Sequence, residues 1–129
     1  MKKLLQILFT LLTLTSCSES FDEIDPTEFN HRISRRTDIK NSKELIEIYY
    51  NYPENEATPK LTFKSKKIDN GLEEIELIHD KQEDDSQRAT KIIMIVELKD
   101  KIWSVKKIKT NRKCWDGRGH TNWSNEWCI

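Results

Sequence analysis

Leu72-Glu73-Glu74-Ile75-Glu76-Leu77-Ile78-His79, entered through Asn70-Gly71, is the stretch on which the fold turns. Asn-Gly supplies the positive φ angles of a tight hairpin turn, so residues 72–79 read as the return strand of a hairpin. Its first strand carries Leu61 and Phe63 at period two after Pro59. Downstream, the polar run 80–86 is a loop, and Ile92-Ile93-Met94-Ile95-Val96 reads as a central strand buried on both faces. Lys99-Asp100-Lys101 turns the chain into residues 102–110, where Trp103 and Val105 face the core and Lys106, Lys107 and Lys109 offer charge and aliphatic stems.

Upstream, Asn41 and Glu44 have the spacing that caps a helix by satisfying its first free amides. Leu45, Ile48, Tyr49 and Tyr52 then follow at i, i+3, i+4 and i+7, and Pro53 is expected to end the stripe. One helix and about four antiparallel strands bury their apolar faces only by stacking, which gives an α+β domain with one N-terminal amphipathic helix on the sheet. The element order is similar to that of cystatin- or NTF2-like folds, an analogy that carries no function with it.

The first 16 residues belong to a different problem. Met1, Lys2 and Lys3 form a positive end, residues 4–14 are an apolar run broken by Gln6, Thr10 and Thr13, and Leu14-Thr15-Ser16-Cys17 follows. That is the layout of an export signal, too short for the roughly 20 apolar residues of a spanning helix. Leu14 to Cys17 resembles the lipobox of bacterial lipoproteins. The resemblance implies that residues 1–16 are removed and that Cys17 becomes the acylated, palmitate-bearing first residue. Ser18-Glu19-Ser20 and Phe21-Asp22-Glu23 resemble the acidic stretch behind the lipidated cysteine of surface-exposed lipoproteins of Bacteroidetes-type bacteria, and a serine after the cysteine resembles the outer-membrane sorting pattern. The expected destination is therefore the bacterial outer membrane, on its periplasmic or surface face. With no apolar periodicity over 18–36, residues 17–36 are expected to be a solvated acidic tether, leaving 37–129 as a single α+β domain.

Composition sharpens this expectation. With 22 basic and 22 acidic side chains in 129 residues the chain has no net charge, which disfavours a phosphate-tracking nucleic-acid binder. Leaving aside residues 1–16, about a third of the chain is apolar, so the core is thin and a small domain of this kind calls for a staple. If lipidation accounts for Cys17, Cys114 and Cys128 remain as an even pair in an oxidising compartment and are expected to form a disulfide.

The segment between those cysteines holds three of the four Trp residues and two of the three Gly. Cys114, Gly117-Arg118-Gly119-His120, Trp123 and Cys128, with Asp84-Asp85-Ser86 upstream, resemble a pattern of small uncharacterised exported bacterial proteins; Gln87-Arg88 stand where that pattern has a glycine or helix breaker. Two readings of the loop follow. In one it is structural, with its rings extending the core and Arg118 pairing with Asp84 or Asp85. In the other, Trp115, Trp123 and Trp127 beside Arg118 and His120 form a binding surface for a glycan or a protein partner.

Other chemistries are less well supported. His31, His79 and His120 are scattered and lack zinc-site spacing, so no metal and no cofactor is expected. Ser124, His120 and Asp116 are the residue types of a hydrolase triad confined to one short loop, where triad geometry is rarely met, and no catalytic residue is assigned. The expected function is that of a lipid-anchored envelope protein of binding or structural type without turnover. The alternatives are an inhibitor or immunity-type protein against an envelope enzyme or toxin, and an envelope glycan-binding module or hydrolase. The expected partners are the membrane, through the lipid, and an envelope protein or glycan.

Overall fold

A computed structural model describes residues 18–51 and 59–129. Residues 1–17, where an export signal and a lipobox are expected, lie outside the described residues, as do Tyr52 and Pro53. The elements are β1 (Asp22–Ile24), α1 (Thr27–Ile33), α2 (Ser42–Tyr50), β2 (Lys60–Lys67), β3 (Leu72–Asp80), β4 (Gln87–Lys99) and β5 (Ile102–Cys114). The strands form one antiparallel sheet in the order β1-β5-β4-β3-β2. The architecture is α+β as expected, with five strands rather than about four and two α-helices rather than one among the described residues.

Both turns follow from local chemistry. Asn70 and Gly71 sit at φ 63° and 74° between β2 and β3, and Asp100 and Lys101 at φ 51° and 65° between β4 and β5. Positive φ at both central residues matches the right-handed twist of the paired strands. The α2 cap forms at Asn41, whose side chain accepts from the Glu44 N–H, while the Glu44 carboxylate accepts from the Lys40 N–H at 2.8 Å. The helix ends at Asn51, in the left-handed region at φ 42°.

One face of the sheet carries the core. Ile75 and Leu77 on β3, Ile92, Met94 and Val96 on β4, and Trp103, Val105 and Ile108 on β5 pack against Leu45 and Ile46 of α2 and Phe29 and Ile33 of α1. Each such aliphatic side chain, fully withdrawn from water, contributes about 1.5–3 kcal/mol. The Trp103 indole N–H donates to the Ile39 carbonyl at 3.0 Å, so its one polar atom is satisfied inside the core. The 92–96 run is the middle strand but is not buried on both faces. Ile92, Met94 and Val96 are buried, whereas Ile93 and Ile95 are half-buried on a face crossed by Lys64–Glu76, Lys66–Glu74 and Lys107–Glu23 ion pairs.

Residues 22–33, expected to be part of a solvated tether, are instead folded onto the sheet. β1 pairs with β5 through Asp22↔Thr110, Glu23↔Lys109 and Ile24↔Ile108. Beyond Ile24 the β5 edge is completed by a side chain. The Asn30 amide donates to the Val105 carbonyl at 2.8 Å and accepts from the Val105 N–H at 2.7 Å, reproducing the pair of bonds a further strand residue would make. Asn30 lies on α1, which thereby lays Phe29 and Ile33 on the core, and Phe29 meets Tyr49 of α2 edge to face at 5.1 Å. A three-residue strand and a seven-residue helix are too short to show a period, which is why they escape a periodicity reading.

Candidate functional site

β5 delivers Cys114 to the end of the sheet, opposite Gln87 at the start of β4. There Cys114 is bonded to Cys128, 14 positions on, with Cα atoms 5.5 Å apart. The ring so closed is held by its own backbone. The Arg118 N–H donates to Trp115 O at 3.0 Å, Cys114 N–H to His120 O at 2.9 Å, and Ile129 N–H to Arg118 O at 2.9 Å. Gly119 is required twice over, since its φ is +128° and a Cβ there would stand 3.1 Å from the Cys114 sulfur.

Three of the groups singled out in the sequence, Trp115, His120 and Trp123, are half-buried and engaged with the rest of the protein. The Trp115 indole N–H donates to Asp84 O at 2.8 Å, its backbone N–H donates to Ser86 O, and the Arg88 guanidinium stands 5.8 Å from its ring centroid. Trp123 lies with Lys91 Nζ 4.3 Å and Lys113 Nζ 4.8 Å from its centroid. His120 is a strut: Nδ1 lies 2.8 Å from Asn122 O and Nε2 2.9 Å from Glu126 O.

The ring also clasps the N-terminal arm. Ser124 pairs with Arg112 through two backbone bonds of 2.9 and 3.0 Å, prolonging the edge that β1 occupies. The Ser124 hydroxyl lies 3.2 Å from Ser20 Oγ, and Asn125 bonds Ser20 and Asp22. Arg112, nearly buried, donates to Asn125 O and to Asp22 Oδ2 at 3.2 Å, and its guanidinium lies 3.9 Å from the Trp127 ring centroid. On the other face Glu19 accepts from Lys91 Nζ at 2.6 Å and from Asn111 Nδ2 at 3.4 Å. Lys91, Asn111 and Arg112 are buried, and none was singled out by the sequence reading. The available signal was the acidic arm itself, whose Glu19 and Asp22 match those cations in charge.

The expected ion pair of Arg118 with Asp84 or Asp85 does not form among the described residues. Arg118 is exposed, held only through its backbone, and the clamp is made by Arg112 and Asp22 instead. Asp84 is engaged locally, accepting from the Gln87 N–H at 2.6 Å and from the Ser86 N–H and hydroxyl at 2.8 and 3.1 Å. The Gln87 amide, then the Ser86 amide and hydroxyl, hold its carboxyl below the usual carboxylate range. A carboxyl with a depressed folded pKa stabilises the fold above its unfolded value of about 3.9, and that contribution is lost as pH falls through the folded value. Asp84→Asn should therefore be less stable than the parent at pH 7, with the difference closing below about pH 4. Parallel thermal melts at pH 7 and pH 3 measure it, and an equal gap at both would contradict this role.

Cys114 Sγ, Cys128 Sγ and a His120 nitrogen lie within 4.8 Å of one another, a set of donor types that spacing alone did not suggest. The two sulfurs are spent on each other in the disulfide, which leaves an imidazole already held by two carbonyls. The triad types are likewise not joined among the described residues, because Ser124 Oγ faces Ser20 and His120 faces Asn122 and Glu126. The rim stays open: Trp127 is 77% and Ile129 80% exposed, beside exposed Arg118, Asp116 and Glu126. A cleft of about 350 Å³ opens nearby between Ser18, Glu19, Lys113, Asn122 and Trp123.

No protein-family model, curated protein or solved structure matches the chain.

Proposed function

We propose that the chain is a lipid-anchored cell-envelope protein, made with a cleaved signal over residues 1–16, acylated on Cys17 and exported to the outer membrane. One observation carries the reading. Of three cysteines, Cys114 and Cys128 are consumed by each other, and the odd one stands where an apolar run preceded by two lysines meets Leu14-Thr15-Ser16. A disulfide is also what an oxidising compartment sustains.

Within that reading the domain is of binding or structural type. Trp115, Trp123 and His120 serve mainly to fasten the stapled segment, and the groups it offers outward are Trp127, Ile129 and Arg118. A helix layer on an antiparallel meander also suits the cystatin- or NTF2-like analogy, in which the scaffold presents a rim and function lies in the rim.

The test is chemical. In a bacterial host fed labelled palmitate the chain should take up label, and Cys17→Ala should abolish it and leave the protein out of the membrane fraction. Equal membrane retention of an unlabelled Cys17→Ala protein would refute the anchor.

A further inference from the structure

Resting on the lipid-anchor reading, we infer that the stapled end of the sheet lies in the phospholipid headgroup layer of the membrane that holds the lipid, with Trp127 and Ile129 as its inserted side chains. The argument begins with the length of the leash. A tether over 18–36 would reach about 65 Å when extended and hold the domain well clear of the bilayer. The arm is instead fastened almost at once. The Glu19 carboxylate is bound by Lys91 and Asn111, the Ser20 carbonyl accepts from Asn111 Nδ2 at 3.1 Å, and Asp22 begins β1. The first fixed points, Glu19 and Ser20, therefore stand two and three positions beyond the acylated one, a reach of about 7–10 Å. One leaflet's headgroup region is about 5–8 Å thick, so the end of the domain that receives the arm is held against it.

That end is built for such a neighbour. Asn125, which bonds Ser20 and Asp22, lies two residues from Trp127 and four from Ile129, the two most exposed large hydrophobic side chains among the described residues. Each Trp of the segment has a cationic side chain against its ring: Arg88 at Trp115, Lys113 at Trp123 and Arg112 at Trp127. Tryptophan with lysine or arginine is the composition of membrane-water interfaces, where an apolar body and a polar tip are both satisfied. Asp116 and Glu126 in the ring, and Asp84 and Asp85 in the loop that Trp115 bonds, are exposed acids whose charge opposes entry into the hydrocarbon. They also offset its cations, so the contact belongs to headgroups in general and is not driven by anionic lipid.

The experiment uses the full chain, processed by a bacterial host and reconstituted into vesicles of phosphatidylethanolamine and phosphatidylglycerol, with and without phospholipid brominated near the headgroup end of its chains. Brominated vesicles should quench part of the tryptophan emission. Trp127→Phe should remove most of that part, and Ile129→Asp should reduce it, with both variants melting as the parent does. Equal emission in brominated and plain vesicles, or quenching unchanged by Trp127→Phe, would overturn the docking. The mass of the N-terminal peptide separates the two failures. A lipidated Cys17 without quenching sinks the docking and leaves the anchor standing, whereas an unmodified Cys17 sinks the anchor and the docking with it.

Discussion

Replacing Cys114 and Cys128 together by alanine is expected to cost about 3 kcal/mol and to lower the melting temperature by about 10–20 °C. The chain-entropy part follows from a closed loop of sequence separation 14, whose opening restores freedom to the unfolded chain. The native side adds to the loss. The ring's inward bonds, from His120 to two carbonyls, from Trp115 to Asp84 and from Ser124 to Arg112, depend on a closure that fixes their geometry. Once the disulfide is open, each of those bonds must repay the ordering of its own segment, and a neutral side-chain bond contributes only about 1 kcal/mol. A thin core has little reserve against such a loss. Thermal unfolding of the double variant beside the parent measures it, and an unchanged melting temperature would mean that the ring is held by its hydrogen bonds alone.

How far the fold could be read ahead of the structure depends on how local its causes are. The turns at Asn70-Gly71 and Asp100-Lys101 and the cap at Asn41 are settled by two or three neighbouring residues, and they stand where the sequence places them. The staple follows from cysteine parity. β1 and α1 do not, because what holds them is distant: Asn30 on Val105, 75 positions away, and Asp22 on Arg112, 90 positions away. The two-sided burial expected of 92–96 fails for a related reason. A run of five apolar residues does not say whether a second layer exists, and among the described residues the helices pack on the face that carries Ile92, Met94 and Val96 and leave Ile93 and Ile95 half-buried.

The candidate site divides along the same line. That residues 114–128 form a closed ring rich in tryptophan was legible; which of its groups face inward was not. Arg118 sits between two glycines and invites a role, yet Arg112, which looks like an ordinary strand residue, makes the clamp. A buried cation declares itself only when its partner is placed, and the partners of Arg112 and Lys91 lie some 70 to 90 positions upstream.

Lys91 supplies the second large effect. Its side chain is 7% exposed, and Glu19, 39% exposed, is its ion-pair partner at 2.6 Å, with the rings of Trp123 and Phe21 at 4.3 and 5.9 Å. Removing one member of a fully buried pair costs about 3–5 kcal/mol, because the other charge is left desolvated without compensation. Glu19 reaches water, so Glu19→Gln should cost less, about 2 kcal/mol. Adding Lys91→Met should then recover most of the loss, since a methionine of similar length fits between two aromatic rings and leaves no charge behind. The double variant is expected within about 1 kcal/mol of the parent, a non-additivity that no model of independent surface charges produces. Denaturant titration of the parent, both single variants and the double variant reads the cycle. If Glu19→Gln alone is as stable as the parent, the arm is not fastened at Glu19, its first fixed points are Ser20 and Asp22, and the proposed docking of the domain on a membrane loses its nearest anchor. If the single variant falls and the double recovers, the pair is a latch whose worth lies in holding residues 18–20 on the sheet, and hydrogen exchange at the amides of Ser20 and Phe21 should quicken in both variants that lack the carboxylate.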